Sequence, residues 1–155
     1  MTQVEYDIPT LQDLEIVAAN MREADKQEAI AMAACGPLEA LRKSVQLSHE
    51  AVVARVCGEP VCVYGLGFGS VTGGMARPWL MGTQAVEWHC LTFLRSNKRV
   101  VRGWSERFDL ENYVDARHTM SIRWLKWLGF KLDAPEPFGP FGYQFHRFEM
   151  PRGTV

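Results

Sequence analysis

Three residues combine useful chemistry with a telling position in the chain: His118, Glu87 and Asp115. His118 stands between a short β-like run and a helical one. An imidazole titrates near neutrality, so His118 can act as acid, base or ligand contact, or simply cap the helix behind it. Glu87, with His89 close by, falls near the start of a long helical pattern, where its carboxylate either serves as a base or faces water. Asp115 lies one residue from a strand end and reads as a proton-handling group or as a turn residue. Cys90 lacks the His and Asn set that a nucleophilic thiol needs. Gly65, Gly67 and Gly69 are spaced G-x-G-x-G and lead into turn and strand. That spacing excludes a dinucleotide fingerprint and fits a flat strand with a bulge or close backbone approach.

Two charged stripes share helical spacing. Arg95, Lys98, Arg99 and Arg102 recur at i, i+3, i+4 and i+7, as a solvated face or one that meets a phosphate, an acidic partner or nucleic acid. Arg22, Asp25 and Glu28 form a second stripe, which either borders a cleft or is solvated. Met120, Trp124 and Trp127 make an apolar ridge read as core.

These residues need elements to hold them. Val4 to Ile8 reads as a short strand, and Thr10 as the cap of a helix carrying Leu11, Leu14, Val17, Ala18 and Met21 on one face. Arg22 to Met32 continues helical until Gly36-Pro37, and a third helix fits Pro37 to Leu47. Ala51 to Cys57, a turn at Gly58-Glu59-Pro60, and Val61 to Phe68 read as a hairpin. Arg77 to Gly82 reads as the next strand, followed by one long helix from Gln84 to Arg107 with Thr83 as its cap. Tyr113 to Ala116 is a short strand and Thr119 to Leu128 a compact helix stopped by Gly129. Phe130 to Leu132 and Tyr143 to Met150 close the sheet. The Pro/Gly-rich segment between them, 135–142, is expected to be irregular.

The chain has 155 residues, 47% of them hydrophobic, 23% charged and 11% aromatic. A domain of that size buries roughly 70% of its unfolded surface, so one domain, 1–155, without a staple is expected. No apolar stretch approaches the roughly 18 residues of a membrane span, and Met1 to Asp7 carries no secretory signal. A cytoplasmic protein is the expectation. Net charge is −1, which favours neither nucleic acid nor a membrane surface. Eight acids against two bases sit in residues 1–39, a polarity that can steer a partner or an anionic ligand. The four cysteines show no metal-ligand spacing. They read as reduced thiols, with Cys57 and Cys62, flanking a turn, as the one pair worth checking.

The α+β order of elements, ending in His118-Thr119-Met120-Ser121-Ile122-Arg123-Trp124-Leu125-Lys126-Trp127-Leu128-Gly129-Phe130, resembles the GCN5-related N-acetyltransferase (GNAT) superfamily. Gly129 and Phe130 match the close of its signature N-x-x-A-x-x-L-Y-x-x-x-G-F, and Ser121 stands for the small residue. Met21-Arg22-x-x-Asp25, Trp79 to Thr83 and Ile122 to Lys126 resemble the acetyltransferase-like internal virion proteins of podophages. The resemblance implies a mixed sheet of six to seven strands with four to five helices. It also implies a splayed parallel strand pair that admits acetyl-CoA, with pyrophosphate on N–H groups at a helix start. The matching cofactor residues are Trp79, Leu80, Met81, Gly82, Thr83, Gln84 and Ser121, and the acid/base set is His118, Glu87 and Asp115.

The departures from the family pattern are specific. Its pyrophosphate loop, Q/R-x-x-G-x-G/A, is here Thr83 to His89, with no glycine after Gly82. Leu125 stands where the family has a thiol-protonating tyrosine, His118 stands at its asparagine, and no acid lies between Pro60 and Val86. Two functions are therefore expected in parallel. One is acyl transfer from acetyl-CoA to an unknown amine. The other is a catalytically silent protein that binds phage virion proteins or a host protein.

Overall fold

The computed structural model describes residues 3–70 and 72–154. Its centre is an antiparallel meander of β2 (Ser48–Val56), β3 (Glu59–Phe68) and β4 (Met75–Gly82). The β2–β3 hairpin turns on Cys57 and Gly58, at φ 51° and 83°, the paired positive values of a type I′ turn. That turn leaves Cys57 exposed and Cys62 buried on β3, and both thiols are free. The pairing raised from sequence is not formed.

On one side of the meander β1 (Val4–Asp7) pairs with β2; on the other β5 (Asp109–Asp115) runs parallel to β4. Then β8 (Tyr143–Met150) pairs antiparallel with β5 and is flanked by β6 (Lys131–Leu132) and β7 (Glu136–Phe138). Among the described residues the sheet has eight strands in the order β1-β2-β3-β4-β5-β8-β6, with β7 also on β8. The extra strand is β7, within the segment expected to be irregular. Its ladder to β8 is possible because Phe138 stacks on Tyr113 of β5, ring centroids 4.0 Å apart, and Pro137 sits on an edge, where a missing N–H is tolerated.

Helix α1 (Leu11–Ala19) begins in a capping box, Thr10 accepting from the Asp13 N–H and Asp13 from the Thr10 N–H. With α3 (Pro37–Gln46) it covers one face of the sheet through Leu14, Val17, Leu41, Val53 and Val63. Helix α2 (Glu23–Ala33) lies against β5. The opposite face carries α5 (Cys90–Ser105) and α6 (Thr119–Leu128), with Phe93 and Val101 of α5 in one core with Leu66, Leu110 and Val114 of the sheet.

The long helix expected from Gln84 is broken at His89 into α4 (Ala85–Trp88) and α5. Thr83 does not cap it. Both its N–H and its hydroxyl donate to the Val61 carbonyl, at 2.8 and 3.0 Å. The first turn is thereby tied to β3, while Phe93 and Val101 set the axis of α5. Six helices result. Gly65 meets the close approach expected of it: a Cβ there would lie 2.6 Å from the Glu50 carbonyl. Trp127 departs from the expected core ridge. It is 48% exposed, with Lys98 Nζ 4.5 Å from its ring centroid. No helix among the described residues is long and apolar enough to cross a membrane.

Candidate active site

Strands β4 and β5 pair at only two positions, Met75 with Asp109 and Ala76 with Leu110, and then separate. Backbone chemistry explains where the ladder stops. Thr83 bonds back to β3, so alternation along β4 turns the N–H and C=O of Ala76, Pro78, Leu80 and Gly82 toward β5. Pro78 has no N–H to donate. Its carbonyl accepts instead from the Asn112 side chain at 3.0 Å, whose own oxygen accepts the Tyr113 N–H.

Beyond Pro78 the gap is open, and at its wide end α2 spans it. The Gly82 N–H donates to Asp25 Oδ2 at 2.9 Å, and the Gly82 carbonyl accepts the Arg22 N–H at 2.9 Å. Across the gap, the Asp115 N–H donates to Glu28 Oε2 at 3.0 Å. Leu80 is left between, its gap-facing N–H and C=O without a partner among the described residues. Trp88 is 74% exposed and does not line the opening.

A buried charge network anchors this arrangement. Asp25 receives the Arg22 Nε at 2.9 Å and Nη2 at 3.1 Å, and lies 2.7 Å from His118 Nε2. Arg22, Asp25 and His118 are 6%, 4% and 3% exposed. Ser121 completes the set, its hydroxyl 3.1 Å from His118 Nε2 and its N–H donating weakly to Nδ1 at 3.4 Å.

Burial works to raise the Asp25 carboxyl, but the His118 hydrogen bond and the Arg22 charge outweigh it and hold it below the usual carboxylate range. Burial works to lower His118, yet the Asp25 hydrogen bond and the Glu28 charge carry it above the ordinary imidazole value. Asp115 is likewise held low against burial by the hydrogen bonds of Arg117. Glu28 is the exception. Burial, reinforced by Asp25 and Asp115, pushes its carboxyl up to about 7 despite the opposing His118 charge and Asp115 N–H.

A cavity of about 530 Å³ passes through the open gap. On the α2–α3 side it is walled by Glu28, Met32, Lys43, Leu47, Arg77 and Trp79; on the α5–α6 side by Asn97, Val101, Ser121, Leu125 and Tyr64. Burial raises the Tyr64 phenol and pushes the Cys62 thiol up to about 12.

The residues singled out in the sequence divide into two groups. Trp79, Leu80, Met81 and Ser121 line the cavity; Gly82, Thr83 and Gln84 lie past it at the end of β4. Glu87 hydrogen-bonds Gln84 on the surface side of α4 and does not reach the cavity. His118 lies behind Asp25, and Asp115 meets the cavity only through Glu28. Glu28 is the residue that sequence reading left without a chemical role. Its signal was an acid one turn beyond Asp25, leading into the apolar run Ala29-Ile30-Ala31-Met32.

No family model and no curated protein matches the sequence. Solved structures share its fold at low identity. Ard1 from Thermoplasma volcanium superposes with a TM-score of 0.69 at 14% identity, over 95% of this chain and 96% of that one. An acetyltransferase of the GNAT family from Streptococcus pneumoniae gives 0.64 at 9% identity, over 96% and 99%. YncA from Salmonella typhimurium, solved with its cofactor acetyl-CoA, gives 0.63 at 14% identity, over 98% and 95%. The chain therefore has a GNAT-like α+β fold.

Proposed function

We propose that the protein transfers an acyl group from acetyl-CoA to a primary amine, with the thioester arm lying in the β4–β5 gap. The observation that carries this reading is the unpartnered edge of Leu80 in an open gap, with Glu28 on its rim. A pantetheine amide needs such a backbone edge, and the Leu80 N–H is equally suited to a thioester oxygen that gains charge during attack.

Glu28 is the base. A carboxylate with a pKa of about 7 is well matched to taking a proton from an ammonium group near neutral pH. Glu28 takes one proton from the ammonium group, the freed amine nitrogen bonds to the acyl carbon, the carbon–sulfur bond breaks, and the nitrogen's second proton goes to the departing CoA thiolate, which leaves as the thiol. Trp79, Met81 and Ser121 wall the arm, and Gln84 at the exposed turn is the polar contact nearest the phosphates. His118 and Asp115 act by position: His118 holds Asp25, and the Asp115 N–H holds Glu28. Glu87 remains a candidate only for a contact outside the gap.

A second reading is favoured by one feature. Gly82 spends both its gap-facing groups on Arg22 and Asp25, and Thr83 spends its N–H and hydroxyl on β3, so neither residue is free to hold a pyrophosphate. In that reading the protein is catalytically silent and binds a partner. The partner would then be a virion or host protein, as the resemblance of Met21-Arg22-x-x-Asp25 and Ile122 to Lys126 to podophage internal virion proteins implies.

Calorimetric titration with acetyl-CoA separates the two. Saturable binding with a rise in melting temperature, and CoA release on adding amines, is expected. No binding at millimolar acetyl-CoA would leave only the silent reading.

A further inference from the structure

Among the described residues, four charged side chains line the cavity on the α2–α3 side, Asp25, Glu28, Lys43 and Arg77, and Asp25 is already paired with Arg22. Lys43 is engaged by Glu39 at 3.0 Å. Arg77 has no ion-pair partner among the described residues. It shares the face of Trp79 and Met81 on β4, whose side chains join the α1–α3 core, so it looks into the same trough as Glu28.

The strand register measures the space between them. Arg77 follows Ala76, the last β4 residue zipped to β5, opposite Leu110. Glu28 is held at Asp115, five residues beyond Leu110. The net offset of four residues, at about 3.3 Å each, is about 13 Å along the strand direction, less whatever the Arg77 side chain spans. Met32, Leu47 and Trp79 line the trough between.

We infer that the acceptor is an amphiphilic amino acid whose amine and anion lie at opposite ends of an apolar stem, the amine at Glu28 and the anion at Arg77. The inference rests on the acyl-transfer reading for the amine's fate. The stem is required by distance: in an α-amino acid the two groups are too close to reach both residues. Arg77 is then a specificity determinant, since a guanidinium binds a carboxylate through paired hydrogen bonds.

The test uses 8-aminooctanoate, octylamine and glycine as probes on the full chain, by calorimetry without donor and by CoA release with acetyl-CoA. 8-Aminooctanoate is expected to bind at least tenfold more tightly than either comparator. Arg77→Gln should erase that advantage with an unchanged melting temperature, and Arg77→Lys should restore part of it. Equal binding of octylamine, no binding of 8-aminooctanoate, or an advantage that survives Arg77→Gln would overturn the inference. CoA release without carboxylate preference would reject the inference and keep acyl transfer. Arg77-dependent binding without CoA release would do the reverse.

Discussion

Asp25 and Glu28, one turn apart on α2, each accept a backbone N–H from a different strand, Gly82 of β4 and Asp115 of β5. The helix thus holds apart two strands that pair at their other end. Asp25 is charge-compensated by Arg22 and His118 and belongs to the frame. Among the described residues no cation is bonded to Glu28, and it faces the cavity, which leaves it free to exchange a proton.

Glu28→Gln keeps an oxygen for the Asp115 N–H but cannot take a proton. A loss of roughly 10²-fold or more in kcat/KM is expected, with acetyl-CoA affinity preserved. The wild-type kcat/KM should rise with pH along an acid limb that levels off near 7. A profile unchanged in Glu28→Gln would remove Glu28 from the proton path.

Stability should fall as pH rises from mildly acidic to mildly basic. Glu28 has a folded value near 7 against an ordinary 4.5, so the native state holds more protons across that window and loses stability through it. His118, raised in the fold, contributes stability that is complete below its unfolded value and is lost as pH passes its folded one. Denaturant titrations at pH 5.5 and 8.5 measure the slope, which Glu28→Gln and His118→Asn should each flatten. The opposite slope would contradict both assignments.

Asp25→Ala removes the compensation of a buried guanidinium, the hydrogen bond from the Gly82 N–H at the end of β4 and the contact with His118. A cost of about 3–5 kcal/mol is expected, as for other broken buried ion pairs. Chemical denaturation reads it directly, and a loss below about 1 kcal/mol would show the network to be dispensable.

Leu80→Pro deletes the unpartnered N–H of β4 without breaking a bond to β3. Acetyl-CoA affinity should fall about tenfold relative to Leu80→Ala, the order expected for one hydrogen bond, since both variants lose the Leu80 core packing but only the proline loses the N–H. Unchanged affinity would move the thioester arm off this strand.

Gly82→Ala would set a Cβ 2.7 Å from Val86 Cγ2 and 3.1 Å from Cys62 Cβ. Both neighbours are packed in the core, so overpacking of about 1–3 kcal/mol is expected. A neutral result by thermal unfolding would show that the β4–α4 corner can shift.

The helices and the meander were legible in sequence because their signals are local: the Thr10 cap, Pro37 in a first turn, alternation from Val61 to Phe68, and Gly129 at a helix end. The break at His89 was not, because Val86, Phe93 and Val101 keep helical spacing across it while Thr83 answers to β3. Strand β7 was hidden for the same reason, since its Pro-containing segment becomes a strand only against β8 and Tyr113.

By itself, then, the sequence determined the order and type of most elements and the residues able to ionise, because hydrophobic period, caps and turns act within a few residues. Tertiary structure alone decided which of those groups would do so near neutrality. Asp25 and Glu28 are the same kind of side chain on one helix. What separates them is a cation within hydrogen-bond reach of the first and a desolvating cavity wall around the second, and both come from residues far away in the chain.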